Sequence, residues 1–110
     1  CDLVSQKQEE ISIDLKVDEE NEVMDYSNNI KIETLYEEAY DLYSQGDYFN
    51  SKESLNELVD IDDEYADAWA LFGRILYEQG DRNGAKMFTK RALKIDSANE
   101  NANELWLELK

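Results

Sequence analysis

The chain contains no histidine, no proline, one cysteine and only four glycines in 110 residues. Without histidine there is no imidazole general base and no histidine-based triad. A single thiol can supply neither a cysteine or cysteine–histidine zinc site nor an internal disulfide. Basic residues are also scarce: 11 Lys and Arg stand against 27 Asp and Glu, a formal charge of −16. Such a surface repels the phosphate backbone that DNA- and RNA-binding proteins neutralise, which argues against nucleic acid as a partner. No apolar run approaches the roughly 18 residues needed to span a bilayer. A chain of this length carries one small core, so a single fold has to do everything.

The acidic excess is unevenly placed. Up to Tyr65 there are 20 acidic and 4 basic residues, and after it 7 of each, so the first part carries the whole excess. Two readings stay open for this asymmetry, a solvated face and a surface that steers a basic partner. Composition also changes near Ile30. Residues 2–29 are polar and acidic with scattered aliphatics, and from 30 onward apolar residues recur with helical spacing.

Offset by 34 residues, segments 32–65 and 66–99 match at eight positions, about four times what composition would give by chance. Tyr43, Gln45, Gly46 and Asp47 recur as Tyr77, Gln79, Gly80 and Asp81, and Ile61 and Asp62 as Ile95 and Asp96. Each Gly-Asp pair predicts a tight turn: glycine takes the left-handed conformation that ends a helix, and aspartate caps the next one. Core faces are expected from Leu35, Ala39 and Leu42; from Leu55, Leu58, Val59 and Ile61; from Trp69, Phe72, Gly73 and Leu76; and from Ala85, Phe88, Ala92, Leu93 and Ile95. Ser97 followed by Glu100 has capping-box spacing and predicts a fifth helix through Leu105, Trp106 and Leu109. The acidic clusters Asp60–Glu64 and Asp18–Glu22 lack the glycine and glutamate positions of a calcium-binding loop, so no metal site is expected.

The run of Trp69, Leu76, Tyr77, Gly80, Asp81, Ala85, Ala92, Leu93, Ile95 and Asp96 resembles a tetratricopeptide repeat. The resemblance covers residues 32–99 and departs from the family pattern at Asp63 and Ser97, which replace a usual proline, at Thr89, which replaces a bulky residue, and at Glu38, which replaces an apolar one. It implies an all-α fold, a short α-solenoid of two helix-turn-helix repeats (about 32–65 and 66–99) with a capping helix at about 98–109. Residues 30–110 would form this domain, behind a mostly irregular leader at 1–29.

The resemblance further implies a non-enzymatic protein–protein interaction module, with no cofactor, whose first helices line a concave groove for a peptide or helix. Carried over by position, the groove residues are Glu33, Tyr36, Tyr40 and Tyr43 from the first repeat and Asp67, Ala70, Arg74, Tyr77 and Glu78 from the second. The spacing of Tyr36, Tyr40 and Tyr43 places them on one helix face by geometry alone. That row reads equally as a binding surface or as rings packed against their own helices. Tyr36 and Tyr40 stand where some relatives carry cations that clamp a C-terminal carboxylate, and Glu33, Asp67 and Glu78 disfavour acidic ligands. The expected partner segment is therefore apolar or basic.

A chain beginning at Cys1 resembles a mature bacterial lipoprotein, which implies lipid attachment at Cys1 and a scaffold anchored to a membrane of the cell envelope, tethered by the leader. The alternative is a soluble, cytoplasmic acidic chaperone or adaptor that shields an apolar or basic client. Ile11, Ile13, Leu15 and Val17 alternate with polar residues, the pattern of a single strand able to pair with a partner's edge. Association of copies through the first repeat is a further open reading.

Overall fold

Two glycines with positive φ set the chain path, Gly46 at +84° and Gly80 at +88°. The computed structural model describes residues 27–110, and every regular element among them is an α-helix. Helix α1 covers 27–44, followed by α2 (Tyr48–Ile61), α3 (Ala66–Glu78), α4 (Arg82–Ile95) and α5 (Glu100–Leu109). Cys1, the Ile11–Val17 strand pattern and most of the acidic leader lie outside the described residues. Residues 27–29, which composition assigned to the irregular leader, are already helical.

The two glycine turns are built alike. Gly46 N donates to Tyr43 O at 2.9 Å and Asp47 N to Leu42 O at 2.9 Å, while Gly80 N donates to Tyr77 O at 3.0 Å and Asp81 N to Leu76 O at 2.8 Å. These are the paired bonds of a Schellman closure, which satisfy carbonyls that the helix end leaves open. Asp47 then accepts from Asn50 N at 3.2 Å and Asp81 from Gly84 N at 2.9 Å, each capping the following helix. The other connections match as well: Asp62 and Asp96 share φ −144° and ψ 97°. Each accepts, at 3.0 Å, from the backbone two residues on, Glu64 N and Ala98 N. The 34-residue sequence period is thus also a period of backbone geometry.

The core within Ile32–Lys110 forms where those helices turn their aliphatics inward. Leu55, Leu58 and Ile75 have no exposed surface and pack with Leu35, Leu71 and Phe72; burying each such side chain stabilises by about 1.5–3 kcal/mol. Small residues let the helices approach. Ser51 Oγ donates to Ala39 O at 2.6 Å between α2 and α1, and Thr89 Oγ1 donates back to Ala85 O at 2.6 Å within α4. Both hydroxyls are fully buried, where an unbonded one would cost about 1–3 kcal/mol. A Cβ on Gly73 would stand 2.7 Å from Thr89 Oγ1 and 3.2 Å from Leu105 Cδ2, so this position must stay bare for α3, α4 and α5 to meet. The small, fully buried Thr89 fits the narrow seam that Gly73 leaves.

Helix α5 closes against α3 and α4 through Ala102, Leu105 and Leu109, all with no exposed surface. Its start corrects the capping-box expectation. Asn99, not Ser97, is the N-cap: its Oδ1 accepts from Ala102 N at 2.9 Å, while Ser97 sits in the turn and its carbonyl accepts from Asn103 Nδ2 at 3.1 Å. The Asp96 turn needs residues 97 and 98 to reverse the chain, which moves the helix start to Glu100. That start lies 34 residues after the start of α3 at Ala66.

Candidate functional site

Counting by 34 along the chain brings three helices to one cavity. Tyr36, Tyr40 and Tyr43 of α1, Ala70, Leu71 and Arg74 of α3, and Asn101 and Glu104 of α5 line a cleft of about 250 Å³. Tyr36, Ala70 and Glu104 are separated by 34 residues each, as are Tyr40, Arg74 and Glu108. The residues at one helical register thus form a row across the molecule. A volume of this size takes one or two side chains of a larger partner rather than a whole drug-sized ligand.

Of the residues expected from sequence, the structure gathers Tyr36, Tyr40, Tyr43, Ala70 and Arg74 around this cleft. Ala70 is only 2% exposed and forms the floor, packed with Ala92 and Ala102. Glu33, Asp67, Tyr77 and Glu78 do not line it. Glu33 is exposed on α1. Asp67 sits in the first turn of α3 and accepts from Asn99 Nδ2 at 2.6 Å. Tyr77 lies under Arg74 and Arg82, whose guanidinium carbons are 5.8 and 5.9 Å from its ring centre, with its body against the Ala85–Leu105–Leu109 cluster. Glu78 Oε2 accepts a long bond of 3.5 Å from Tyr43 Oη.

The tyrosines are both packed and presented. Their rings form a chain from Tyr65 through Tyr36, Tyr40 and Tyr43 to Tyr48, with successive centroids 5.8, 6.4, 6.0 and 5.9 Å apart. Tyr36 and Tyr43 lean on the core, whereas Tyr40 is 50% exposed. Of the expected exposed row, therefore, one ring stands free and its neighbours hold it in place.

Carboxylates surround this chain and leave their mark on it. Burial, then the charge of Asp67 and the neighbouring rings, push the Tyr36 hydroxyl up to about 12. Burial and Glu78 raise Tyr43, against a smaller opposing effect of Arg74. Burial, Asp67, Glu33 and Asp62 raise Tyr65. The cation in the cleft is already engaged: Arg74 Nη1 and Nη2 donate to the two carboxylate oxygens of Glu108 at 3.3 and 3.4 Å. Glu104 stands beside it on the cleft wall. A negative ligand would meet Glu104 with Arg74 already neutralised, while a cationic side chain would meet a carboxylate and the faces of tyrosine rings, two favourable partners. Among the described residues, no three carboxylates or other ligating groups converge to hold a metal ion.

Leu71, Asn101, Glu104 and Glu108 are the residues that sequence reasoning missed. Sequence reading gave α5 no part in the site; adding 34 to Asp67, Ala70 and Arg74 gives Asn101, Glu104 and Glu108. A scan against models of protein families finds none that matches this chain, and a search of curated proteins finds no significant relative.

Proposed function

We propose that this chain is a tetratricopeptide-like interaction module that binds a segment of another protein, apolar in part and carrying a basic side chain, in the cleft formed by α1, α3 and α5. The observation that carries this reading is the row of Tyr40, Arg74 and Glu108 at one helical register, in which the only cation is already paired with a carboxylate. The matching turns at Gly46 and Gly80 support the repeat reading, and α5 then takes the place of a next first helix as well as covering α3 and α4. Tyr40 supplies a rigid, half-exposed ring at low entropic cost, the kind of residue that dominates binding energy at interfaces. Glu104 supplies the charge that selects a lysine or arginine over a carboxylate.

The test is selection from a displayed peptide library, followed by fluorescence anisotropy with the enriched peptides. Enriched sequences should carry Lys or Arg beside an apolar residue, and Tyr40→Ala and Glu104→Lys should each weaken binding at least about tenfold, the scale of an interface anchor. Enrichment of acidic peptides, or binding indifferent to both substitutions in folded protein, overturns the reading.

A further inference from the structure

Helix α4 is an anomaly in this acidic chain: between Arg82 and Ile95 it has five basic residues and no acidic one. Lys86, Lys90 and Lys94 follow one another at four-residue intervals, with Arg82 extending the row, so like charges face each other along one side of the helix. Such i, i+4 repulsion works against the helix that bears it. None of these cations forms an ion pair among the described residues, where the one ion pair is Arg74 with Glu108. Arg82 donates to Leu109 O at 3.1 Å and Lys90 Nζ stands 5.7 Å from the centre of the Trp106 ring, which places the row on the flank of α4 beside α5. Lys90 and Lys94 are exposed and Lys86 half-buried.

Helix α1 carries the opposite row at the same spacing. Glu33, Glu37 and Asp41 follow at four-residue intervals, and all three are exposed. Their surroundings mark this edge as one that receives a helix. The residues 34 positions after Glu37 and Asp41 are Leu71 and Ile75, buried against the preceding helices, and 34 further on are Leu105 and Leu109, buried in the same way. Among the described residues nothing packs over that face of α1, and what it offers a neighbour is carboxylates.

We propose that this edge of α1 docks the α4 flank of a second copy of the chain, so that copies associate head to tail through two complementary charge ladders. With a rise of 1.5 Å per residue, each ladder repeats about every 6 Å, so helices laid side by side place every lysine against a carboxylate. Docking removes the like-charge repulsion within both helices at once. Two chains of −16 repel each other at longer range. The contact therefore works within a screening length, about 8 Å at physiological salt, where the local ladders outweigh the distant charges.

Sedimentation velocity on the full chain at physiological ionic strength tests this, with circular dichroism confirming the fold of each variant. The wild type should sediment faster as its concentration rises. Glu33→Lys/Glu37→Lys/Asp41→Lys, and separately Lys86→Glu/Lys90→Glu/Lys94→Glu, should each remain monomeric, and an equimolar mixture of the two should associate again. Three reversals change the charge by six, from −16 to −10 in one variant and −22 in the other, so both stay negative and net charge cannot explain their recovery on mixing. Tyr40→Ala should leave sedimentation unchanged, which separates this contact from the peptide cleft. A wild type that is monomeric at every concentration, or a mixture that fails to associate, overturns the proposal. A monomeric wild type that pellets with phosphatidylserine vesicles through the same lysines also overturns it and assigns the α4 row to an anionic membrane.

Discussion

The two helix pairs share their turns and differ in almost everything that touches those turns. α1 and α2 meet across Ala39 and Ser51, with a hydroxyl bonded to a carbonyl at 2.6 Å, while α3 and α4 meet across Gly73 and Ala85, with Thr89 bonded back into its own helix. The first pair wears a chain of tyrosines. The second wears a stack of Trp69, Phe72 and Phe88, with centroids 5.1–6.1 Å apart and Arg91 4.8 Å over Trp69. Turn geometry is therefore set locally by Gly-Asp, whereas the seam between helices is set by whichever small residues fit. Their outer edges differ most: Thr34, Glu37 and Asp41 are exposed where Ala68, Leu71 and Ile75 are buried.

Substituting across that edge should give the largest effect. Leu105→Ala removes a fully buried side chain and should cost about 2–5 kcal/mol in urea denaturation. Glu37→Ala, two periods earlier at the same register, should change stability by less than about 0.5 kcal/mol. Equal costs would mean that the α1 edge is covered.

The seams should differ by a smaller margin. Gly73→Ala gains about 1 kcal/mol of helix propensity but forces Thr89 or Leu105 aside, an overpacking cost of about 1–3 kcal/mol, so a net loss is expected in thermal denaturation. Ala39→Gly at the matching position should lose about 1 kcal/mol through chain flexibility alone. A stabilising Gly73→Ala would show that α4 and α5 yield together.

The smallest effect separates the tyrosine chain by pH. The Tyr36 hydroxyl in the folded protein titrates at about 12, above its ordinary 10.0. Between those values the unfolded chain has lost a proton that the folded one keeps, so stability should be complete below about pH 10 and fall as pH rises towards 12. Tyr36→Phe should lessen that fall, measured as a denaturation midpoint across alkaline pH, leaving the part that the raised Tyr43 and Tyr65 hydroxyls contribute.

Much of this was legible in the sequence because the turns depend on residues a few positions apart. Gly46-Asp47 and Gly80-Asp81 announce helix ends whatever surrounds them, and apolar spacing identifies Leu55 and Leu58 of α2 and Phe72 and Gly73 of α3 as inward, but it passes over the buried Ala68, Leu71 and Ile75. The start of α5 was less readable, because Ser97 and Glu100 imitate a capping box while the Asp96 turn requires the cap at Asn99. The cleft was half legible. Tyr36, Tyr40 and Arg74 could be assigned from the repeat resemblance, but Glu104 and Glu108 enter only once α5 is placed beside α3. The neutralisation of Arg74 by Glu108, across 34 residues of chain, has no local signature at all.

The carboxylates of α1 also bear on how a longer version of this molecule could be built. Copying residues 66–99 and joining the copy after position 99 would present Leu71- and Ile75-type side chains to the place now held by α5, continuing the same interior. Copying the segment at the other end would set Glu37 and Asp41 against a new helix, where burial is tolerable only if that helix brings cations to meet them, as the lysine row of α4 would. The two ends of the helical stack therefore make different demands on an added helix, apolar side chains at one and compensating charge at the other.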